Sequence, residues 1–280
     1  MRSRLALSLV VAAVVGACTT GGMSATVATS GPSVGPSASA RAVAVDLTIF
    51  AAASLAGVLV EVKDAYEAAH PGTTLTISAD SSAALETQIE QGAPADVFLS
   101  ADTTNPMKLV DRGFSAGDAV VFAGNKLTIV VPSDNPAGVA SPADLAKSGL
   151  KVIAAGDEVP ISAYAKQLVA NLAKEAGSPT DFEARYDANV VSREDNVKAV
   201  IAKIQIGEGD AAIVYVTDAK ASTGVKVIDV PERANVSAKY AGVVVGASAN
   251  QQEARAFLGW LTSPDGQAIL SSFGFLPPSP

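Results

Sequence analysis

The sequence predicts an α/β fold with mixed, largely parallel sheets, on three observations. Short runs rich in β-branched and apolar residues alternate along the chain with segments whose apolar residues fall at helical spacing. Gly, Pro or small polar residues break the chain at most of the joins. The run Ala211–Val216 is apolar without alternation, as expected of a strand covered by helices on both faces.

Taken in order, Asp46–Phe50 reads as the first strand. Leu55, Val58, Leu59, Val62 and Tyr66 then follow helical spacing until His70-Pro71-Gly72 stops them. Thr74–Ser78 is a second strand, Ala84–Gln91 a helix, Asp96–Ser100 a third strand, and Lys126–Val131 a strand closed by Pro132. A turn over Pro136–Pro142 leads to a short helix at Asp144–Ser148, a short strand at Val152–Ala154 and a helix over Ala163–Ala176. Asn196–Ile206 is helical, with Val197, Val200, Ile201 and Ile204 on one face. Tyr240–Val245 is a strand, and Gln251–Leu261 a helix with Ala254, Phe257, Leu258 and Leu261 inward. We read two lobes: residues 46–125 with 229–280, and the intervening 126–228.

The chain ahead of this pattern is of another kind. Arg2 and Arg4 precede an apolar run from Leu5 to Val15 and then Gly16-Ala17-Cys18, which reads as an export signal over residues 1–17. Val15-Gly16-Ala17-Cys18 resembles the lipobox of bacterial lipoproteins, so Cys18 is the expected lipidation site. As the sole cysteine it forms no intramolecular disulfide. Residues 18–45, mostly Ser, Thr, Gly, Ala and Pro, offer too little apolar surface to offset the entropy of ordering, and read as a tether. The protein is therefore expected outside the cell, lipid-anchored to the outer face of the membrane.

Charge and composition exclude some functions. The formal net charge is −8, and aromatic residues make up only 5%. Nucleic-acid binding needs a basic footprint that this chain lacks. An anion site in so acidic a protein has to be built from local dipoles.

Four places combine a strand end, a small polar group and a helix start. They are Phe50-Ala51-Ala52-Ala53-Ser54-Leu55, then Asp80-Ser81-Ser82, then Val159-Pro160-Ile161-Ser162-Ala163-Tyr164, and Glu194-Asp195-Asn196, after which Tyr215 closes the most apolar strand. Hydroxyls and unsatisfied N–H groups at helix starts suit an anion. Taken singly, each reads more simply as a helix cap, and Tyr215 as a core tyrosine.

Longer segments add to this reading. Phe50–Leu55, Gln88-Ile-Glu-Gln-Gly-Ala-Pro-Ala-Asp96-Val-Phe, Gly209-Asp-Ala-Ala-Ile-Val-Tyr215-Val-Thr-Asp218-Ala, and Gly266–Phe275 with its aromatic-glycine-aromatic turn resemble, in that order, the molybdate-binding proteins of bacterial ABC importers. The resemblance runs from Asp46 to Leu276. It implies a two-lobed type II periplasmic-binding-protein fold closing over one dehydrated oxyanion, molybdate or tungstate, with no cofactor and no direct bond from protein to metal. Carried over by position, Ser54 and Ser82 each give a hydroxyl and a backbone N–H. Ile161 and Asn196 give backbone N–H groups, and Tyr215 its phenol. The implied partner is an importer permease, and a monomer is expected because one cleft closes without a second subunit. The sequence departs from the family pattern at Asn196, valine in some members, whose amide has three open roles: binding the anion, pinning Tyr215 or capping its helix. Asp80 and Asp195, near the proposed cleft, are expected to face solvent or cap helices.

Rival readings are a hydrolase, a metal enzyme, the same fold with another solute, and a surface lipoprotein without a transport role. Ser54 lacks a nucleophile-elbow pattern and the sole histidine, His70, sits at a helix end. No ligand spacing for a metal is present. Ferric sites favour converging tyrosines and carboxylates, whereas sulfate also uses neutral donors and differs from molybdate mainly in size.

Overall fold

The computed structural model describes residues 44–279. The predicted export signal, Cys18 and nearly all of the tether lie outside the described residues; the last tether residue, Val45, already opens the first strand. Among the described residues no helix is long and apolar enough to cross a membrane.

The first stretch alternates strands and helices: β1 (Val45–Ala52), α1 (Val58–Ala69), β2 (Thr73–Asp80), α2 (Ser82–Glu90), β3 (Val97–Ser100), α3 (Thr104–Asp111) and β4 (Val120–Asn125). A 3-10 turn, Ala53–Leu55, joins β1 to α1. The middle stretch holds β5 (Leu127–Pro132), β6 (Val152–Ala155), α4 (Pro160–Leu172), α5 (Phe182–Asn189), β7 (Val190–Glu194), α6 (Val197–Gln205), β8 (Ala212–Tyr215), α7 (Val216–Lys220) and β9 (Val225–Ile228). The chain ends with β10 (Ala238–Val244), α8 (Gln251–Leu261) and α9 (Pro264–Ser272).

One sheet runs β2-β1-β3-β10-β4. Its interior strand β1 buries Leu47, Ile49 and Ala51 completely and pairs in parallel with β2 and β3. The late strand β10 pairs antiparallel with β3 and β4, which ties the chain's end to its beginning. A second sheet runs β8-β5-β9 and a third pairs β6 with β7; an isolated parallel bridge, Val152↔Ala211, links the two.

The expectation of largely parallel pairing holds for β1 with β2 and β3, and for β6 with β7. Both pairings of β5 and both pairings of β10 are antiparallel. The apolar run at Ala211–Val216 reported burial on both faces, and burial carries no information on strand direction. The five-stranded sheet is mixed, as expected, while β8-β5-β9 is antiparallel throughout and the β6-β7 pair is parallel.

Helix starts follow local chemistry. Helix α4 begins at Pro160, three residues before the expected start, because proline is accommodated in the first turn, where its missing N–H costs nothing. Helix α1 buries Val58, Leu59, Val62 and Tyr66 on the predicted stripe and ends at His70, whose ring stacks on Tyr66 at 4.0 Å between centroids. The C-terminal motif also has a structural reason. A side chain at Gly266 would place Cβ 2.4 Å from the Trp260 carbonyl oxygen, so glycine lets α9 pack tightly on the end of α8. Gly274 takes φ +95° in the turn that follows, sending Phe275 edge-on to Tyr240 with centroids 5.4 Å apart.

Candidate functional site

The starts of several helices meet around one small cavity. It offers about 10 Å³ to the centre of a water-sized sphere, roughly the room a single water needs. Ser54, Ser81, Ser82, Ile161, Asn196 and Tyr215 line it, with Ala52, Ala53, Ala101, Val159, Pro160 and Val197 completing the wall. All five residues expected to bind, Ser54, Ser82, Ile161, Asn196 and Tyr215, are thus brought together from separate parts of the chain.

Each is positioned by its element. Ser54 lies in the 3-10 turn directly after β1, and the alanines ahead of it keep that strand end narrow. Ser82 opens α2. Ile161 is the first residue of α4 with an N–H, because Pro160 precedes it. Tyr215 ends β8 and is 1% exposed. The first-turn N–H groups of α2, α4 and α6 have no partner within their own helices and concentrate positive potential at the cavity.

The hydrogen bonds direct the hydroxyl protons. Ser82 Oγ accepts the Ala101 N–H at 3.1 Å and has no acceptor for its own proton among the described residues. Ser54 Oγ and Tyr240 Oη are 2.9 Å apart. Asn125 fixes the direction of that bond: its Oδ1 accepts the Lys126 N–H at 2.9 Å, so its Nδ2 points to Thr217 Oγ1 at 2.8 Å and to Tyr240 Oη at 3.4 Å. With Nδ2 donating to Tyr240, the buried phenol proton has Ser54 Oγ as its acceptor, since an orphaned buried donor is costly. The Ser54 proton is then left for the cavity. Tyr215 Oη is buried without any partner. Burial, reinforced by nearby Tyr240, Tyr164, Asp218 and Asp102, pushes its phenol well above the ordinary tyrosine range, so it stays a donor. The hydroxyls of this cavity therefore present donors, a set suited to an anion that only accepts.

Asn196 resolves differently from the possibilities raised by sequence. Its Oδ1 accepts the Ala199 N–H at 3.1 Å, capping α6, and its Nδ2 donates to Asp80 Oδ1 at 3.2 Å. It neither pins Tyr215 nor turns its amide on the cavity. Asp80 also accepts the Ser81 N–H at 2.7 Å, and Asp195 is exposed; neither lines the cavity. Sequence reasoning missed Tyr240 and Asn125 as parts of this site, and at the Ser81-Ser82 pair it gave the ligand role to Ser82 alone. Tyr240 and Asn125 carry no local signal, because they reach the site only through β10 and β4. Among the described residues no group of three or more His, Cys, Asp or Glu is placed to hold a metal ion.

Comparison with known proteins gives the chain's family. Residues 47–276 match the family described as bacterial extracellular solute-binding protein. The molybdate-binding protein ModA of Mycobacterium tuberculosis is 33% identical over 245 residues, covering 87% of this chain and 88% of the relative. The periplasmic molybdate-binding protein of Azotobacter vinelandii has the same fold, with TM-score 0.69 and 24% identity over 83% of this chain and 100% of that one. An aconitate isomerase from a Pseudomonas species is 28% identical over 82% of this chain and 87% of its own. This chain belongs to the bacterial extracellular solute-binding protein family, and within it to the molybdate-binding proteins.

Proposed function

We propose that this protein captures molybdate or tungstate outside the membrane and hands it to the permease of an ABC importer. The observation that carries this reading is a small cavity walled by serine and tyrosine hydroxyls whose protons are free to donate, with no carboxylate in its lining. A fully deprotonated tetrahedral dianion accepts at every oxygen, so no donor of the cage is wasted on it. A protonated anion brings a hydrogen that needs an acceptor, and no carboxylate lines the cavity to take it. The relationship to molybdate-binding proteins supports the choice among such dianions.

In this reading residues 46–125 with 229–280 form one lobe and 126–228 the other. Ser54 and Ser82 bind from the first, and Ile161, Asn196 and Tyr215 from the second. Asn196 contributes through its backbone, its amide being engaged elsewhere. Cys18 carries the lipid that holds the protein at the outer membrane face, and the protein acts as a monomer. An isomerase activity, suggested by one relative, suits this cavity poorly: no histidine or carboxylate lines it to move a proton.

Calorimetric titration of the protein with molybdate, tungstate and sulfate tests the proposal. Tight one-to-one binding of the first two with little response to sulfate is the expected result. Equal or exclusive sulfate binding overturns the solute, and silence from all three in folded, ligand-free protein overturns the transport reading.

A further inference from the structure

Ser81 is the residue whose condition the fold alone does not explain. It occupies the N-cap position of α2, where a serine ordinarily accepts a helix N–H, yet its side chain makes no capping bond. Its backbone is fully used: the N–H donates to Asp80 Oδ1 at 2.7 Å and the carbonyl accepts from Leu85 N at 3.0 Å. The hydroxyl is not. Ser81 is 5% exposed, and its Oγ has no hydrogen-bond partner. A buried hydroxyl without a partner is destabilising, and a serine gains nothing there over alanine in the empty protein.

Ser81 stands in the wall between two spaces. One is the anion cavity, shared with Ser54, Ser82 and Tyr215. The other is a larger outer cavity of about 420 Å³ lined also by Asp80, Glu86, Glu158 and Asp195. Carboxylates on that outer side are ready acceptors, yet none of their oxygens takes the Ser81 proton. Tyr215, across the inner cavity, shares the same condition of a buried hydroxyl with nothing to donate to.

We propose that Ser81 is a further ligand of the anion, donating its hydroxyl to an anion oxygen beside Ser82. The inference rests on the oxyanion-binding reading and extends it from two serine hydroxyls to three. Recruiting Ser81 satisfies a polar group that is unsatisfied in the empty protein, so the gain appears only in the bound state.

The test uses the full chain, wild type and Ser81→Ala, with calorimetric titration of molybdate and sulfate and thermal melting of the empty protein. A lost hydrogen bond to a charged ligand predicts a ten- to hundredfold weaker affinity for molybdate. The melting temperature of the empty variant is expected to equal or exceed wild type, because no capping bond is lost. Ser81→Cys keeps the bulk with a much weaker donor and is expected to weaken binding in the same direction. Wild-type affinity in both variants overturns the assignment while leaving the anion reading intact. A fall in affinity accompanied by a lower melting temperature of the empty protein also overturns it, marking Ser81 as structural. Wild type that binds neither anion overturns both.

Discussion

Ser54 Oγ and Tyr240 Oη lie 2.9 Å apart although 186 positions separate them in sequence. The bond joins the turn after β1 to β10, the strand that brings the chain's end back into the same sheet. Tyr240 is held from behind by Phe275 and from the side by Asn125. We expect Tyr240→Phe to weaken molybdate binding several-fold, and less than Ser54→Ala, because the serine stays but its proton is no longer directed. Stability should fall by about 1 kcal/mol for the lost buried hydrogen bond. Titration and chemical denaturation of both variants check this, and equal affinity in wild type and Tyr240→Phe would refute the relay.

Tyr215 gives the opposite signature. Its phenol is fully buried and partnerless, so removing the oxygen relieves the empty protein of an unsatisfied group. Tyr215→Phe should therefore leave the empty protein as stable as wild type or more so. It should also cost at least tenfold in anion affinity. Melting curves with and without molybdate report both effects, and the ligand-induced rise in melting temperature should shrink.

How much of this was legible in the sequence depended on how local each signal was. Amphipathic α1, α6 and α8 were placed within a few residues, because one buried stripe fixes each of them. Helix α5 (FEARYDAN) and strand β7 (VVSRE) were not seen, since both are mostly polar and buried at only a few positions. Helix α9 hid behind its internal Gly266, whose purpose appears only once the Trp260 carbonyl is seen beside it. The five expected site residues were named from helix starts and family resemblance, and all five line one cavity. Ser81 was named beside Ser82 but given no role of its own, and Tyr240 and Asn125 were given no role. Their roles depend on which strand lies next to which, and on which hydroxyl lacks a partner, and neither is written in the spacing of residues.

Asp80 and Asn196 offer a test that separates charge from hydrogen bonding. The amide of Asn196 caps α6 with its oxygen and donates to Asp80 with its nitrogen. Asn196→Asp keeps the cap but sets two carboxylates against each other beside an anion site. We expect a stable helix start and markedly weaker molybdate binding, easing as salt is raised. Adding Asp80→Asn to that variant restores a donor–acceptor pair and the original net charge, and should recover most of the affinity. A double variant no better than Asn196→Asp alone would sink the pairing. Asn196→Ala should instead cost about 1 kcal/mol of stability through the lost cap.

Asp218 sets a pH dependence that can be isolated. It is completely buried, 2.8 Å from Lys198 Nζ, which extends from the first turn of α6. Burial raises its carboxyl to about 6, with Lys198 pulling the other way. Because the folded value lies above the unfolded one near 4, the folded state holds its proton more tightly. Between about pH 4 and 6 the folded state therefore binds more protons than the unfolded, and this group's contribution to stability declines as pH rises through that window. The loss is complete above the folded value and amounts to roughly 2–3 kcal/mol. Asp218→Asn removes that decline, and Lys198, partly exposed, can turn to water. Denaturation at pH 4.5 and 7 should show the variant gaining on wild type at the higher pH. Carboxylates held low elsewhere, such as Glu67 by the Leu75 N–H and Asp144 by the Ala140 N–H, push the whole protein the opposite way, so the difference between the two proteins is the quantity to read. A difference that does not change between the two pH values would mean that Asp218 titrates alike in both states.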